Sequence, residues 1–131
     1  MSTADPKQNG KIVWRDLTVP DASQVASFYK AVVGWSSRDH DMGEYADYEM
    51  LASDDGECVA GICHARGSNE GMPAQWLLYV QVADVEMAAK EASAQGGKVL
   101  NGPRRMGAQQ FCVVQDPAGA VLGLIGPAPE A

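Results

Sequence analysis

The side chains able to do acid–base, nucleophilic or metal chemistry fall in a few short stretches. His40 lies in the charged run Arg38-Asp39-His40-Asp41-Met42-Gly43-Glu44, which reads as a loop. His64 ends an apolar stretch that also holds Cys58 and Cys63. Cys58 with His64, or His40 with His64, would join suitable metal donors, but the spacing matches no recognised ligand pattern. Cys63 beside His64 is a poor nucleophile–base pair, because neighbouring strand residues point to opposite faces. Cys58 and Cys112 read as small buried hydrophobes. Glu44, Asp47 and Glu49 offer paired carboxylates, yet such work needs a carboxyl perturbed in a cleft, and a charge run reads more simply as a solvated edge. Arg104-Arg105, expected in a loop, is either an anion clamp at the mouth of a site or a solvated pair. The chain has no GxGxxG, P-loop, HExxH or GxSxG motif.

What positions these groups is legible from the rest of the chain. Its 131 residues favour a single domain over 1–131, and 46% hydrophobic with 21% charged residues is a globular balance. A formal charge of −7, with no basic cluster interleaved with aromatics, argues against nucleic acid and against anionic membranes as partners. Met1 to Gly10 lacks an apolar core, so no secretory signal is read, and a cytoplasmic address is expected. Three cysteines without a CxxC fit reduced thiols.

Sliding the chain along itself by 63 residues places Val19 on Val82, Asp21 on Asp84, Ala26 on Ala89, Gly34 on Gly97, Gly56 on Gly119 and Ile62 on Ile125. The matches fall on structural punctuation in both copies. In the first, Ile12 to Val19 reads as a strand, Asp21 caps a helix bearing Val25, Phe28, Tyr29, Val32 and Val33, and Gly34 ends it. Trp35 to Arg38 reads as a short strand, and Tyr45 to Ser53 with Glu57 to His64 as a hairpin turned at Asp54-Asp55-Gly56. The second copy repeats this order: Trp76 to Ala83, the cap Asp84, a helix ending at Gly96-Gly97, Lys98 to Asn101, Gln109 to Gln115 and Ala120 to Ile125. The expected class is α+β. Two tandem βαβββ modules, about 11–66 and 75–126, form a curved eight-stranded sheet with helices outside and a concave cup inside.

This order resembles the vicinal oxygen chelate superfamily, which includes glyoxalase I, bleomycin-resistance proteins and extradiol dioxygenases. The resemblance rests on Trp14-Arg15-Asp16-Leu17, Pro20-Asp21, Phe28-Tyr29-Lys30-Ala31-Val32-Val33-Gly34-Trp35 and Asp116-Pro117-Ala118-Gly119-Ala120-Val121. It implies four metal ligands, one on the first and one on the last strand of each copy. Here those positions are Trp14, Ala60, Leu77 and Gly123, none with a donor side chain. The resemblance therefore points to the metal-free branch: a metal-independent small-molecule-binding protein with no cofactor, leaning away from an enzyme. It also implies a homodimer.

If Trp14 faces the cup, strand alternation brings Asp16 and Thr18 with it, and Leu77, Tyr79 and Gln81 face it from the second copy. Trp14 and Tyr79 are then an aromatic wall with Asp16 and Gln81 as polar anchors for a ligand. The same residues also suit a filled core. Two other readings stay open: a lyase- or dioxygenase-type enzyme with an unorthodox metal site, and a dimeric interaction module whose cup is packed. Trp35 and Trp76 are expected to pack against the helices.

Overall fold

The computed structural model describes residues 5–130. Among the described residues, eight strands and two α-helices alternate as two βαβββ modules, an α+β fold as the duplication implies. The first module holds β1 (Ile12–Val19), α1 (Ala22–Val33), β2 (Ser36–Asp41), β3 (Ala46–Leu51) and β4 (Cys58–His64). The second holds β5 (Trp76–Gln81), α2 (Val85–Ala94), β6 (Lys98–Met106), β7 (Gln109–Gln115) and β8 (Val121–Pro127). Two compact units result. The first half is Trp14–Trp76; the second joins residues 77–130 to the described N-terminal residues 5–13.

Each helix starts where a side chain supplies the missing acceptor. Asp21 accepts from the Gln24 amide at 3.3 Å, and Asp84 accepts from the Met87 amide at 3.0 Å. Gly34 closes α1 in the left-handed conformation, φ 87°, which a β-carbon would oppose.

Within the first half the strands run β2-β3-β4-β1, antiparallel except for the parallel pair β1/β4. Leu17, Val19, Met50, Ala60 and Ile62 pack on one face against Ala22 and Ala26 of α1. Trp35 and Trp76 pack against this core with Tyr29, whose hydroxyl accepts from the Trp76 indole N–H at 3.0 Å. The apolar stripe of α1 is wider than its buried face: Phe28, Val32 and Val33 are exposed. Within the second half the order is β5-β8-β7-β6, with β5/β8 parallel. Val85 and Ala89 of α2 pack on Cys112, Val114 and Leu124.

Three stretches differ from the sequence reading. Arg38 to Asp41 is strand, not loop: charged side chains suit an edge strand, where they also discourage pairing with other chains. The strand expected over Lys98 to Asn101 runs on to Met106, so Arg104 and Arg105 stand on β6 rather than in a loop. Arg104 lies over the Phe111 ring at 4.7 Å, and Arg105 donates to the Pro129 carbonyl at 2.9 Å. Asp47, expected on a solvated edge, is 6% exposed.

Candidate functional site

Because strand side chains alternate, the face of each four-stranded half opposite its helix is fixed by the pairing register. In the first half one row runs straight across all four strands: Arg38, Glu49, Gly61, Asp16. Beside it stand the pairs His40–Asp47 and Cys63–Thr18. At about 4.8 Å per strand, the row spans roughly 14 Å. In the second half the matching rows are Asn101, Val113, Gly123, Tyr79 and Arg104, Phe111, Ile125, Gln81.

Trp14 and Asp16 both belong to this face. A β-carbon on Gly61 would lie 3.4 Å from Trp14 Cζ2 and 3.4 Å from Asp16 Cβ, so the two side chains flank bare backbone. Both are half-buried. Tyr79 and Gln81 share the matching face of the second half but are engaged differently. The Tyr79 ring lies over Gly123, whose absent β-carbon would overlap ring carbons, and Tyr79 is 5% exposed. The Gln81 amide donates to the Asp5 carbonyl at 2.7 Å and to Asn9 Oδ1 at 3.0 Å, tying down the N-terminal segment.

The register corrects one position. Ala60 faces α1 with Leu17 and Ile62, so it cannot share a site with Trp14. The last-strand residue on the Trp14 face, equivalent to Gly123, is Gly61. The first strands align at a shift of 63 residues, but the last strands align one residue short of it. A bulge in β4, where Met50 faces Ala60 but Leu51 faces Cys58, adds one residue between the Gly56 turn and Gly61.

The first half also gathers charged groups that periodicity did not single out. Glu49 accepts from Arg38 Nε at 3.0 Å and from Arg38 Nη2 on Oε1, while Oε2 stands 3.3 Å from His40 Nδ1. The Arg38 guanidinium, and less strongly His40, hold the Glu49 carboxyl below its usual range. Asp47 Oδ1 accepts from the His64 amide at 2.9 Å and lies 3.3 Å from His64 Nδ1. The His64 ring sits edge-on to Tyr45 at 5.3 Å and near Tyr48 at 6.1 Å. Burial, with the Asp16 and Asp47 carboxylates, pushes the Cys63 thiol up, which disfavours its thiolate. Burial raises Cys112 to about 11, and burial with Glu49 raises Cys58. The signal for these pairs lay in parity: Arg38/His40 and Asp47/Glu49 are two residues apart on adjacent strands.

A family model described as the glyoxalase/bleomycin resistance protein/dioxygenase superfamily matches residues 11–124. The chain belongs to this superfamily. CFP32 of Mycobacterium tuberculosis, which carries a provisional glyoxylase name, is 30% identical over 124 residues, 94% of this chain and 46% of its own length. The anthracycline biosynthesis protein DnrV of Streptomyces peucetius is 30% identical over 88% of this chain and 46% of its own. The chain therefore spans about half the length of the curated relatives it matches. The solved methylmalonyl-CoA epimerase of Streptomyces coelicolor, in complex with 2-nitronate-propionyl-CoA, shares the fold at a TM-score of 0.53 and 18% identity. That match covers 92% of this chain and 96% of the epimerase.

The metal that the superfamily implies does not fit the residues at its positions. With the register corrected they are Trp14, Gly61, Leu77 and Gly123: an indole, an isobutyl group and two glycines, with the glycines flanked or covered by Trp14 and Tyr79. None offers a side-chain donor. Among the described residues, no group of three or more His, Cys, Asp or Glu is arranged to hold a metal ion. Nor is any described helix long and apolar enough to cross a membrane. A groove of about 480 Å³ lies elsewhere in the second half, between Met87 and Lys90 of α2, Gln110 and the terminal residues Pro127 and Pro129.

Proposed function

We propose that the protein binds an organic small molecule without a metal, against Trp14 and Asp16 on the open face of its first half. The observation that carries this reading is the donor-free set Trp14, Gly61, Leu77 and Gly123 in a fold whose relatives handle small molecules. Trp14 supplies a flat apolar surface packed beside Gly61, and Asp16 supplies a polar contact, the usual make-up of a small-molecule site. Tyr79 and Gln81 are the corresponding pair on the matching face of the second half, and we propose them as its binding residues should a ligand reach that face. Aromatic compounds and acyl-CoA esters head the ligand classes, on the printed names of the anthracycline protein and the epimerase complex. We place the working form as a homodimer. Relatives of about twice the length support it, since a second copy would supply an equal length of chain.

Thermal shift and Trp fluorescence titration over a panel of polycyclic aromatics and acyl-CoA esters test the binding reading. Saturable binding that Trp14→Ala weakens at least tenfold is expected. Failure of every panel member, or binding indifferent to Trp14→Ala, sinks it. Elemental analysis of protein purified without chelator tests the other half: stoichiometric Ni, Zn, Fe or Mn overturns metal independence.

A further inference from the structure

We infer that Arg38, Glu49 and His40 form a metal-free proton-transfer site, in which His40 Nε2 takes a proton from, or returns one to, a ligand lying across the open face of the first half. The inference rests on the proposed placement of the ligand beside Trp14, and it adds a reaction class to it.

The geometry divides one carboxylate between two partners. Glu49 Oε1 receives the Arg38 guanidinium, and Oε2 faces His40 Nδ1 at 3.3 Å. An ionised carboxylate at Nδ1 favours the neutral tautomer with its proton on that nitrogen, which leaves the Nε2 lone pair as the base. Arg38 keeps the carboxylate ionised, consistent with the lowered Glu49 carboxyl. The His40 side chain is 60% exposed, so Nε2 is open to a ligand. Glu49 is a positioning residue, acting only through His40. The other histidine is also paired with a carboxylate, but its side chain is 16% exposed and its ring is wedged between Tyr45 and Tyr48.

The site is reachable from Trp14. Row by row, Gly61 puts bare backbone between Asp16 on β1 and Glu49 on β3. A planar molecule lying over that row beside the Trp14 ring reaches towards β2, the four strands spanning roughly 14 Å. The ligand class is therefore an extended, partly aromatic molecule with a weakly acidic C–H or O–H at the end distal to Trp14. The competing account is a surface ion-pair ladder that ties edge strand β2 to β3, which would add little stability.

Two measurements separate the accounts. Nitrogen-15 NMR of the imidazole rings in the unliganded protein reads the tautomer. Neutral His40 is expected to carry its proton on Nδ1 and to shift towards the Nε2–H form in Glu49→Ala. A wild-type His40 already protonated on Nε2, or a tautomer indifferent to Glu49→Ala, overturns the dyad whatever the ligand. The second uses 5-nitrobenzisoxazole as a proton-abstraction probe. Its C–H proton passes to His40 Nε2, the released electron pair forms the nitrile, the N–O bond breaks, and the coloured nitrophenolate leaves; water then carries the proton from His40. His40→Gln is expected to lower the rate at least about tenfold, the low end of general-base effects falling near a hundredfold. His64→Gln should leave it unchanged. Equal rates for wild type and His40→Gln overturn the proton transfer. The tautomer is read without any ligand, and the ligand placement is read by the Trp14→Ala titration of the panel compounds, so the two readings fail separately.

Discussion

The two halves repeat one backbone plan but use the face opposite the helix in contrary ways. In the first, the cross-strand row reads Arg38, Glu49, Gly61, Asp16; in the second, Asn101, Val113, Gly123, Tyr79. The neighbouring positions repeat the contrast, with His40, Asp47 and Cys63 on one side and Arg104, Phe111 and Ile125 on the other. Glycine occupies the same last-strand position in both. In the first half it leaves a methyl-sized space between Trp14 and Asp16; in the second, the Tyr79 ring takes that space. One copy of the duplicated unit thus keeps chemistry on its sheet, while the other spends the same positions on packing.

One substitution made in both halves tests that contrast most directly. Gly123→Ala drives a β-carbon into the Tyr79 ring at its rigid inner carbons, with Cγ 2.8 Å away. Urea unfolding should show a loss of about 1–3 kcal/mol, the usual cost of overpacking. Gly61→Ala meets its nearest atoms at 3.4 Å and should change stability by less than about 0.5 kcal/mol. Equal costs would erase the distinction between a filled and an open face.

Asp47 sharpens the comparison from the polar side. Its second-half counterpart on β7 is Phe111, which needs no partner. Asp47→Ala leaves the His64 amide, and the ring nitrogen beside it, without their acceptor in a part-buried place. A cost of about 1–3 kcal/mol is expected by denaturant unfolding. Asp47→Asn, which keeps an acceptor oxygen, should recover most of it. If Asn fares no better than Ala, the carboxylate is not serving as that acceptor.

What the sequence made legible was the part governed by local rules. Asp21 and Asp84 cap helices, Gly34 ends one, and β1, α1, α2 and β7 fall where periodicity puts them. The fold class follows from their order. The rest depended on neighbours. Ser36 to Asp41 has no apolar alternation, and only its pairing with β3 makes it a strand. A bulge adds a residue without a sequence mark, so the 63-residue shift placed Ala60 where the sheet places Gly61. Of the candidate site, Trp14 came from the ligand position that the resemblance implies, and alternation then put Asp16 on the same face. The Glu49 pairs were not, because Arg38 and His40 read as loop.

The smallest expected effect is the pH response of that ladder. Arg38 lowers the Glu49 carboxyl below its reference of 4.5, so in the folded chain it binds its proton less readily than in the unfolded one. A depressed acid contributes stability above its unfolded pKa and loses it as pH falls through its folded pKa. Wild type should therefore lose more stability than Glu49→Gln between about pH 5 and pH 3, and the two curves should run parallel above that window. Arg38 is 61% exposed, so salt screens the pair, and 0.5 M NaCl should shrink the difference. No carboxylate stands in the matching rows of the second half, so Val113→Gln should leave the shape of the acid limb unchanged even where it lowers stability. An acid limb identical in wild type and Glu49→Gln would mean that Arg38 and Glu49 do not hold together in solution. The first half would then keep its polar face without the ordered carboxylate that His40 needs.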